Sequence, residues 1–216
     1  MTTSRMLSGR ALCDNPNMLV EWSAECGADD PVLVVPWSAA PDDPTVPHFV
    51  DLRENPYDLD HLPEAELHPP LMQALRALNA NRSPVFTAKC DAWQMQTEEL
   101  EHTQINLDMM PAEAPFGFAS YIDLVWRDRP LFVSFHQQEQ RLHRLSRLLD
   151  PVDIPYAAIA CILRPALVDL TGPQEGFSVS LYVKALGTDA AHAYEHWSDA
   201  LGAVVTQLRG KDFTFV

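Results

Sequence analysis

The stretch HAYEH, residues 192–196, combines two histidines and a glutamate at a spacing that suits metal chemistry. On a helix, His192 and His196 would lie one turn apart and could share a zinc ion, with Glu195 as a base. The apolar residues of this segment, however, follow a helical stripe on the opposite side. A closed site also needs a third protein ligand, and Asp212 is the only acid after Asp199. We therefore predict no metal site here and interpret the stretch as a solvated helix face.

A second cluster of titratable residues lies in an earlier segment with helical periodicity. His136, Glu139, His143 and Arg147 recur there at spacings of three, four and four residues. Ion pairing along one flank of a helix explains such a pattern without catalysis. The chain also lacks a Gly-x-Ser-x-Gly motif, a Ser-x-x-Lys motif and a glycine-rich phosphate loop. We predict no catalytic residues and no cofactor, and the sequence leaves open whether the protein is an enzyme.

A polar set of residues in two strand-like segments is the remaining candidate for a site. The alternation in GFSVSLYVKALG, residues 176–187, puts Ser180, Tyr182 and Lys184 on one side of a strand. The alternation in SYIDLVW puts Tyr121 and Asp123 together in the same way. If these two strands are adjacent, the five side chains share one sheet face, which could be a ligand groove. The alternative is a merely wetter face, or a dimer interface, with at most an Asp123–Lys184 ion pair.

The composition indicates a globular, acidic protein. Of the 216 residues, 47% are hydrophobic and 21% charged, which excludes general disorder. The formal net charge is −15 and the chain has only three lysines, which argues against nucleic acid and against an anionic membrane as partners. Residues 1–116 contain 6 basic and 19 acidic residues, against 9 and 11 in the remainder. The acidic half is interpreted as a solubilising surface or as a docking surface for a basic protein.

The cysteines and the N-terminal residues favour a cytoplasmic location. The four cysteines include no Cys-x-x-Cys pair, and Cys90 and Cys161 lie in apolar, strand-like segments where a reduced thiol behaves as a small hydrophobe. The sequence MTTSRMLSGRALCDN has no apolar core of signal-peptide length, and no apolar run is long enough to span a membrane. We therefore expect a soluble cytoplasmic protein.

The second half of the chain, residues 117–216, has the clearer pattern of secondary structure. Strand-like and helical periodicities alternate there, with helices over 132–150 and 188–210 and a last strand in DFTFV. The predicted order is β-α-β-β-α-β, which is the ferredoxin-like arrangement of an α+β fold.

The first half, residues 1–93, repeats this order less clearly. It would need a strand around Met6 to Cys13, a helix starting at Asn15 and Pro16, strands in PVLVVPWS and PHFVDLR, a helix in PEAELHPPLMQALRALN and a strand in SPVFTAKCDAW. We predict a related ferredoxin-like half, packed with the second as a pseudo-symmetric tandem repeat. The acidic residues 94–116 would connect the two halves across the surface.

Two classes of function remain compatible with the sequence. Because no catalytic constellation is present, the first is a non-catalytic binding or assembly protein that acts as an oligomer, most simply a homodimer. The second is a small-molecule enzyme or a ligand-sensing domain, in which Lys184 supplies a positive charge and Tyr121, Tyr182, Ser180 and Asp123 orient the ligand.

Overall fold

One mixed sheet with helices packed on it forms the framework of the computed structural model. The structure describes residues 9–10, 18–39, 42–43, 45–54, 58–59 and 62–214. Six strands lie side by side in the order β1-β2-β6-β7-β5-β4, and β3 follows β2 along the same edge of β6. The fold is therefore α+β, as the sequence predicts.

The strands are β1 (Gly9–Arg10), β2 (Met18–Ala24), β3 (Leu33–Val35), β4 (Val85–Gln94), β5 (Phe116–Trp126), β6 (Ala157–Asp169) and β7 (Pro173–Gly187). The helices are α1 (Pro63–Leu67), α2 (Pro69–Asn79), α3 (Thr97–Asn106), α4 (Arg129–Val133), α5 (Phe135–Leu149), α6 (Ala190–Arg209) and α7 (Lys211–Thr214). Strands β2 and β3 run parallel to β6, and the other neighbours are antiparallel.

The main hydrophobic core lies between one face of the sheet and the helices α2, α5 and α6. Odd-numbered residues of β6 and β7, such as Ile159, Leu163 and Leu181, are fully buried there because successive strand residues point to opposite faces. Trp197 of α6 is also fully buried, and its indole Nε1 donates a hydrogen bond to Ser120 Oγ at 2.8 Å. The opposite face of the sheet is consequently left for other contacts.

Most of the predicted elements in the second half are confirmed. Strands β5, β6 and β7 and helices α5 and α6 occupy the predicted segments, and β5 pairs with β7 as the ferredoxin-like arrangement requires. Local capping explains where the helices begin. Ser134 accepts a hydrogen bond from the backbone N–H of Gln137 at the start of α5, and Asp189 accepts from Ala191 and His192 at the start of α6.

The predicted last strand, DFTFV, is wrong over its described part. Residues 211–214 form the short helix α7, and the Phe213 ring stacks on Trp126 with 5.8 Å between ring centroids. Arg141 of α5 also donates a hydrogen bond to the Phe213 carbonyl. The position beside β5, which this strand would take in a ferredoxin-like sheet, is occupied by β4 from the first half. Residues 117–214 alone therefore do not complete the predicted unit.

The described residues of the first half do not form the second sheet that a pseudo-symmetric repeat would need. Its strands β2 and β3 join one side of the common sheet and β4 joins the other. The helix predicted from Asn15 is wrong from Met18 onward. Met18, Val20 and Trp22 are buried at every second position, and β2 pairs with the central strand β6.

The other predictions for the first half have mixed outcomes. The strand β3, the helical segment that contains α1 and α2, and the strand β4 are confirmed. The segment PHFVDLR is not a strand, and it contributes a single bridge between Ser38 and His48. The strand predicted around Met6 to Cys13 lies largely outside the described residues, where Gly9–Arg10 form β1.

The segment 94–116, predicted as a surface connector, contains helix α3 and packs on the second face of the sheet. Met95, Leu107 and Ala114 from this segment are buried against Ala119 and Leu186 in a second, smaller hydrophobic cluster. The segment therefore covers one end of that face. Within the described ranges, no helix is long and apolar enough to cross a membrane.

Candidate functional site

The second face of the sheet, opposite α2, α5 and α6, is called here the polar face. It is formed by alternate residues of β2, β6, β7, β5 and β4, since residues directly opposite each other in an antiparallel pair project to the same side. Tyr121 lies opposite Tyr182, and Asp123 lies opposite Ser180. The structure thus brings four of the five predicted site residues together in two neighbouring cross-strand pairs.

Lys184 lies on the same face but forms a different ion pair from the one considered in the sequence analysis. It lies opposite Ala119, four residues along β5 from Asp123, which corresponds to about 13 Å at the usual rise of a strand. Its ammonium Nζ is instead 2.7 Å from Glu99 Oε1 on α3. An Asp123–Lys184 pair is therefore excluded by the register, and the charge of Lys184 is already compensated.

A chain of polar contacts crosses the polar face from β5 to β2. Ser180 Oγ donates a hydrogen bond to Asp123 Oδ1 at 2.5 Å and accepts one from Arg164 Nη1 at 3.0 Å. The Nε and Nη2 atoms of Arg164 lie 2.8 and 2.7 Å from Glu25 Oε2. This chain joins three strand positions and Glu25, the residue that follows β2, and it holds the Asp123 carboxylate in one orientation.

Burial dominates the electrostatics of Asp123. Its side chain is buried, and the loss of hydration raises the pKa of the carboxyl group above the usual value for aspartate. The hydrogen bond from Ser180 and the positive charges of Lys89 and Arg164 act in the opposite direction and reduce this rise in pKa. Asp123 is therefore a buried carboxyl group that has cations near it but forms no direct ion pair among the described residues.

Three aromatic side chains form a row across adjacent strands of the polar face. The ring centroids of Trp93 and Tyr121 are 6.2 Å apart, and those of Tyr121 and Tyr182 are 5.9 Å apart. Burial, followed by the nearby charges of Asp123 and Asp91, raises the pKa of the Tyr121 phenol to about 12. The phenol therefore stays protonated at neutral pH and remains a hydrogen-bond donor.

Helix α3 closes one side of this aromatic row and leaves a depression beside it. Glu99 holds the helix in place, because its Oε2 accepts a hydrogen bond from Trp93 Nε1 at 2.8 Å while Oε1 pairs with Lys184. The depression has a volume of about 250 Å³. Its lining includes Glu21, His102, Ala160, Tyr182 and Lys184. The concave space that the sequence-based ligand hypothesis requires beside Lys184 is therefore present.

Several residues of the polar face were missed by the sequence analysis. Arg164, Glu25, Glu99, Asp91 and Trp93 all lie there, and none of them was a candidate. The alternation along β6 could have placed Arg164 on this face, because Arg164 is even-numbered like the less buried residues that precede it in that strand. Glu99 had no comparable signal, since its position depends on how the connector folds back on the sheet.

The two histidine clusters of the sequence analysis lie outside the chain of polar contacts that runs from Asp123 to Glu25. His192 Nδ1 lies 2.7 Å from Asp189 Oδ2, whereas His196 Nδ1 lies 2.8 Å from the Leu186 carbonyl. His136 Nδ1 lies 3.1 Å from Glu139 Oε2 on the exposed flank of α5. No group of three or more metal-binding side chains converges in the part of the chain that the structure describes.

The thiols near the sheet are poorly suited to nucleophilic chemistry. Burial, followed by the nearby acidic groups, raises the pKa of Cys90 to about 12, and burial alone raises that of Cys161 to about 12. A thiol with so high a pKa is almost never a thiolate at neutral pH. The polar face instead offers aromatic rings, carboxylates and hydrogen-bond donors, which are groups suited to non-covalent contacts.

Comparison with protein-family models, with curated proteins and with solved structures gives no match to this chain. Arguments about function therefore start from the geometry of the polar face.

Proposed function

We propose that the protein is a non-catalytic binding protein whose polar face receives a basic segment of another protein. The observation that carries the proposal is the row of Trp93, Tyr121 and Tyr182 with the Asp91 and Asp123 carboxylates beside it. Aromatic ring faces attract ammonium and guanidinium groups, and nearby carboxylates strengthen that attraction. This combination suits lysine or arginine side chains.

The ion pairs already present among the charged groups of the polar face favour a cationic partner over an anionic one. Lys184 and Arg164 are already paired with Glu99 and Glu25. Asp91, in contrast, accepts a hydrogen bond only from the backbone of Ala92 among the described residues. The formal net charge of −15 adds long-range attraction for a basic partner, which raises the rate of encounter.

An oligolysine or oligoarginine peptide is a direct probe of this proposal. We expect the peptide to bind, and we expect Asp91→Asn and Tyr182→Ala each to weaken binding by about two- to fivefold, as for a lost charge or cation–π contact. Glu195→Gln on the exposed side of α6 is the control, because it makes the same charge change as Asp91→Asn elsewhere. Fluorescence anisotropy at two ionic strengths would measure the affinity of the peptide for the wild type and for each variant. Equal losses in Asp91→Asn and Glu195→Gln would show that the peptide senses only the overall charge.

A second candidate function is the binding of a small molecule in the depression beside Lys184. The lining of the depression supports small-molecule binding, because Tyr182 can form a hydrogen bond and Lys184 supplies a positive charge. The small side chain of Ala160 leaves room for the ligand. A ligand carboxylate would have to displace Glu99 from Lys184. A thermal-shift screen of small carboxylates on the wild type and on Lys184→Met tests this, and compounds that stabilise both proteins equally would exclude the site.

We also propose that β5, α5, β6, β7 and α6 are the ferredoxin-like part of the fold, with β4 as its fourth strand. The support is the antiparallel order β6-β7-β5-β4 with α5 and α6 on one face. In such a sheet the strand after the second helix normally lies beside the first strand. Here β4, which precedes the first strand in the chain, takes that place.

A further inference from the structure

A second concave site lies at the end of the sheet where β4 begins and β5 ends. It has a volume of about 330 Å³. Its lining includes Arg53, Phe86, Trp126, Arg127, Arg129 and Phe132. This space, called here the arginine cavity, is separate from the depression beside Lys184 and has a different chemical character.

Three arginines converge on the arginine cavity in a protein with twice as many acidic as basic residues. The guanidinium carbons of Arg53 and Arg127 lie 4.6 and 6.0 Å from the centroid of the Phe86 ring. Both cations are thus gathered over one aromatic side chain. The third, Arg129, is exposed at the rim as the first residue of α4.

The guanidinium groups of Arg53, which is half-buried, and of Arg127, which is exposed, are held in place by hydrogen bonds that leave other donors available. Arg127 donates through Nε to the Val85 carbonyl at 3.0 Å and through Nη2 to the Asn79 carbonyl at 2.9 Å. Arg53 donates through Nε and Nη2 to the two oxygens of Asp51 at 2.8 and 2.6 Å. A guanidinium has five N–H groups, so each of these side chains keeps donors for a further acceptor.

The cavity has an excess of positive charge. Asp51 is the acid bonded to Arg53, and Glu54 also acts on it, whereas Arg127 bonds only backbone carbonyls among the described residues. Burial, followed by repulsion from Arg53, lowers the pKa of Arg127. An anion placed between the two guanidinium groups would relieve this repulsion.

The Trp126 side chain forms part of the cavity wall. Trp126 is 5% exposed, and its indole Nε1 is buried without a hydrogen-bond partner in the described structure. The rest of the wall combines apolar side chains such as Phe132 and Leu170 with the polar Thr171 and Gln174.

From the convergence of Arg53 and Arg127 over Phe86, beside the aromatic side chain of Trp126, we infer that the arginine cavity binds a small ligand with an apolar body and an oxyanion group. Paired guanidinium groups recognise the oxygens of a carboxylate or a phosphate, and the aromatic walls accommodate an aromatic or aliphatic body. The volume sets an upper limit near the size of a substituted single ring. This inference does not depend on the proposed function of the polar face.

Isothermal titration calorimetry with four probes tests the inference: benzoate, phenyl phosphate, inorganic phosphate and the neutral benzyl alcohol. We expect benzoate or phenyl phosphate to bind at least about tenfold more tightly than benzyl alcohol, since a charge-assisted hydrogen bond contributes more than a neutral one. The better of the two anions identifies the oxyanion class. Inorganic phosphate should bind more weakly than phenyl phosphate, because it lacks the apolar body.

Substitutions in the cavity then locate the binding. Arg53→Gln should weaken binding of the better anion by about tenfold, whereas Trp126→Phe, which keeps an aromatic ring in the wall, should change it little. Arg147→Gln on the exposed face of α5 is the matched charge control and should bind as the wild type does. Arg127 is avoided because its hydrogen bonds to Val85 and Asn79 also stabilise the fold. Failure of both anions to bind at millimolar concentration, or equal losses in Arg53→Gln and Arg147→Gln, would overturn the inference.

Discussion

Glu99 and Lys184 form an ion pair with 2.7 Å between Oε1 and Nζ, and this pair fixes helix α3 over the polar face. The second carboxylate oxygen of Glu99 accepts the indole N–H of Trp93. One side chain on a connector thus binds β4 and β7, which are not adjacent in the sheet.

The first prediction concerns this contact. Glu99→Ala should lower the free energy of unfolding by only about 1 kcal/mol, because the ion pair is partly exposed to solvent. It should increase hydrogen exchange of the α3 amides much more, since the helix loses its attachment to two strands. Glu101→Ala, on the exposed side of the same helix, is the control. Equal exchange in the two variants would mean that the apolar contacts of α3 are sufficient to hold it.

The second prediction concerns the pH dependence caused by Asp123. Because its folded-state pKa is raised above the unfolded value, its favourable contribution is complete below the unfolded pKa of about 3.9 and is lost as the pH rises through the folded pKa. Asp123→Asn keeps an oxygen that can accept from Ser180 and removes the buried charge. The variant should be more stable than the wild type at neutral pH, and this difference should shrink as the pH falls. Urea unfolding at several pH values would measure it, and a variant that is less stable throughout would contradict the prediction.

The third prediction concerns the pH dependence caused by His68. Burial lowers its pKa, against the smaller raising effect of Asp91. Because the folded-state pKa is depressed, its contribution to stability is present above the unfolded pKa of about 6.5 and is lost as the pH falls through the folded pKa. His68→Phe should keep the ring contact with Phe118 and lose part of this acid sensitivity. The exposed substitution His192→Gln is the control in thermal unfolding across that range, and identical profiles in the two variants would refute the assignment.

The fourth prediction concerns the hydrogen bond between Trp197 and Ser120 in the main core. Ser120→Ala removes the only acceptor that the described structure gives to the Trp197 indole and should destabilise the fold by about 1–3 kcal/mol. Ser198→Ala, half-buried on the same helix, should have a much smaller effect. Chemical denaturation of the two variants makes the comparison, and a loss of similar size in both would argue against a role for the hydrogen bond.

The fifth prediction is that the protein forms a homodimer in solution. Its physical reason is the half-open sheet face with aromatic side chains, since a partner subunit often covers such a face, and a basic segment would bind there by displacing that subunit. Light scattering should return a mass of about twice the 24.2 kDa of the chain. A monomer at every concentration tested would refute it, and the polar face would then be free for other partners.

Local periodicity predicted the elements of the second half because each of them is long and consistent with one period. Strands β5 and β7 and helices α5 and α6 belong to this group. Residues 211–214 are too few for a propensity to decide, and their conformation follows from the packing of Phe213 on Trp126. The helix predicted from Asn15 and Pro16 was based on a local signal for the start of a helix. From Met18 onward the chain is a strand instead, because it pairs with β6.

The candidate site was predictable where it depends on alternation within a strand, and it was not predictable where it depends on distant pairing. Tyr121 and Tyr182 share a face because of alternation and the adjacency of β5 and β7. The contact between Arg164 and Glu25 requires the pairing of β2 with β6, more than a hundred residues apart in the chain. The contact of Glu99 with Lys184 requires the fold of the connector. The binding role of these residues stays a prediction.

The parallel pairing of β2 with β6 also has a consequence for the newly made chain. Met18 lies opposite Ala157, 139 residues later in the sequence. At synthesis rates of about 5–20 residues per second, β2 has to wait about 7–28 s before its partner strand leaves the ribosome. During that interval its apolar residues Val20 and Trp22 lack the neighbour that buries them in the finished protein. A chaperone that binds exposed apolar segments could therefore act on this strand during synthesis.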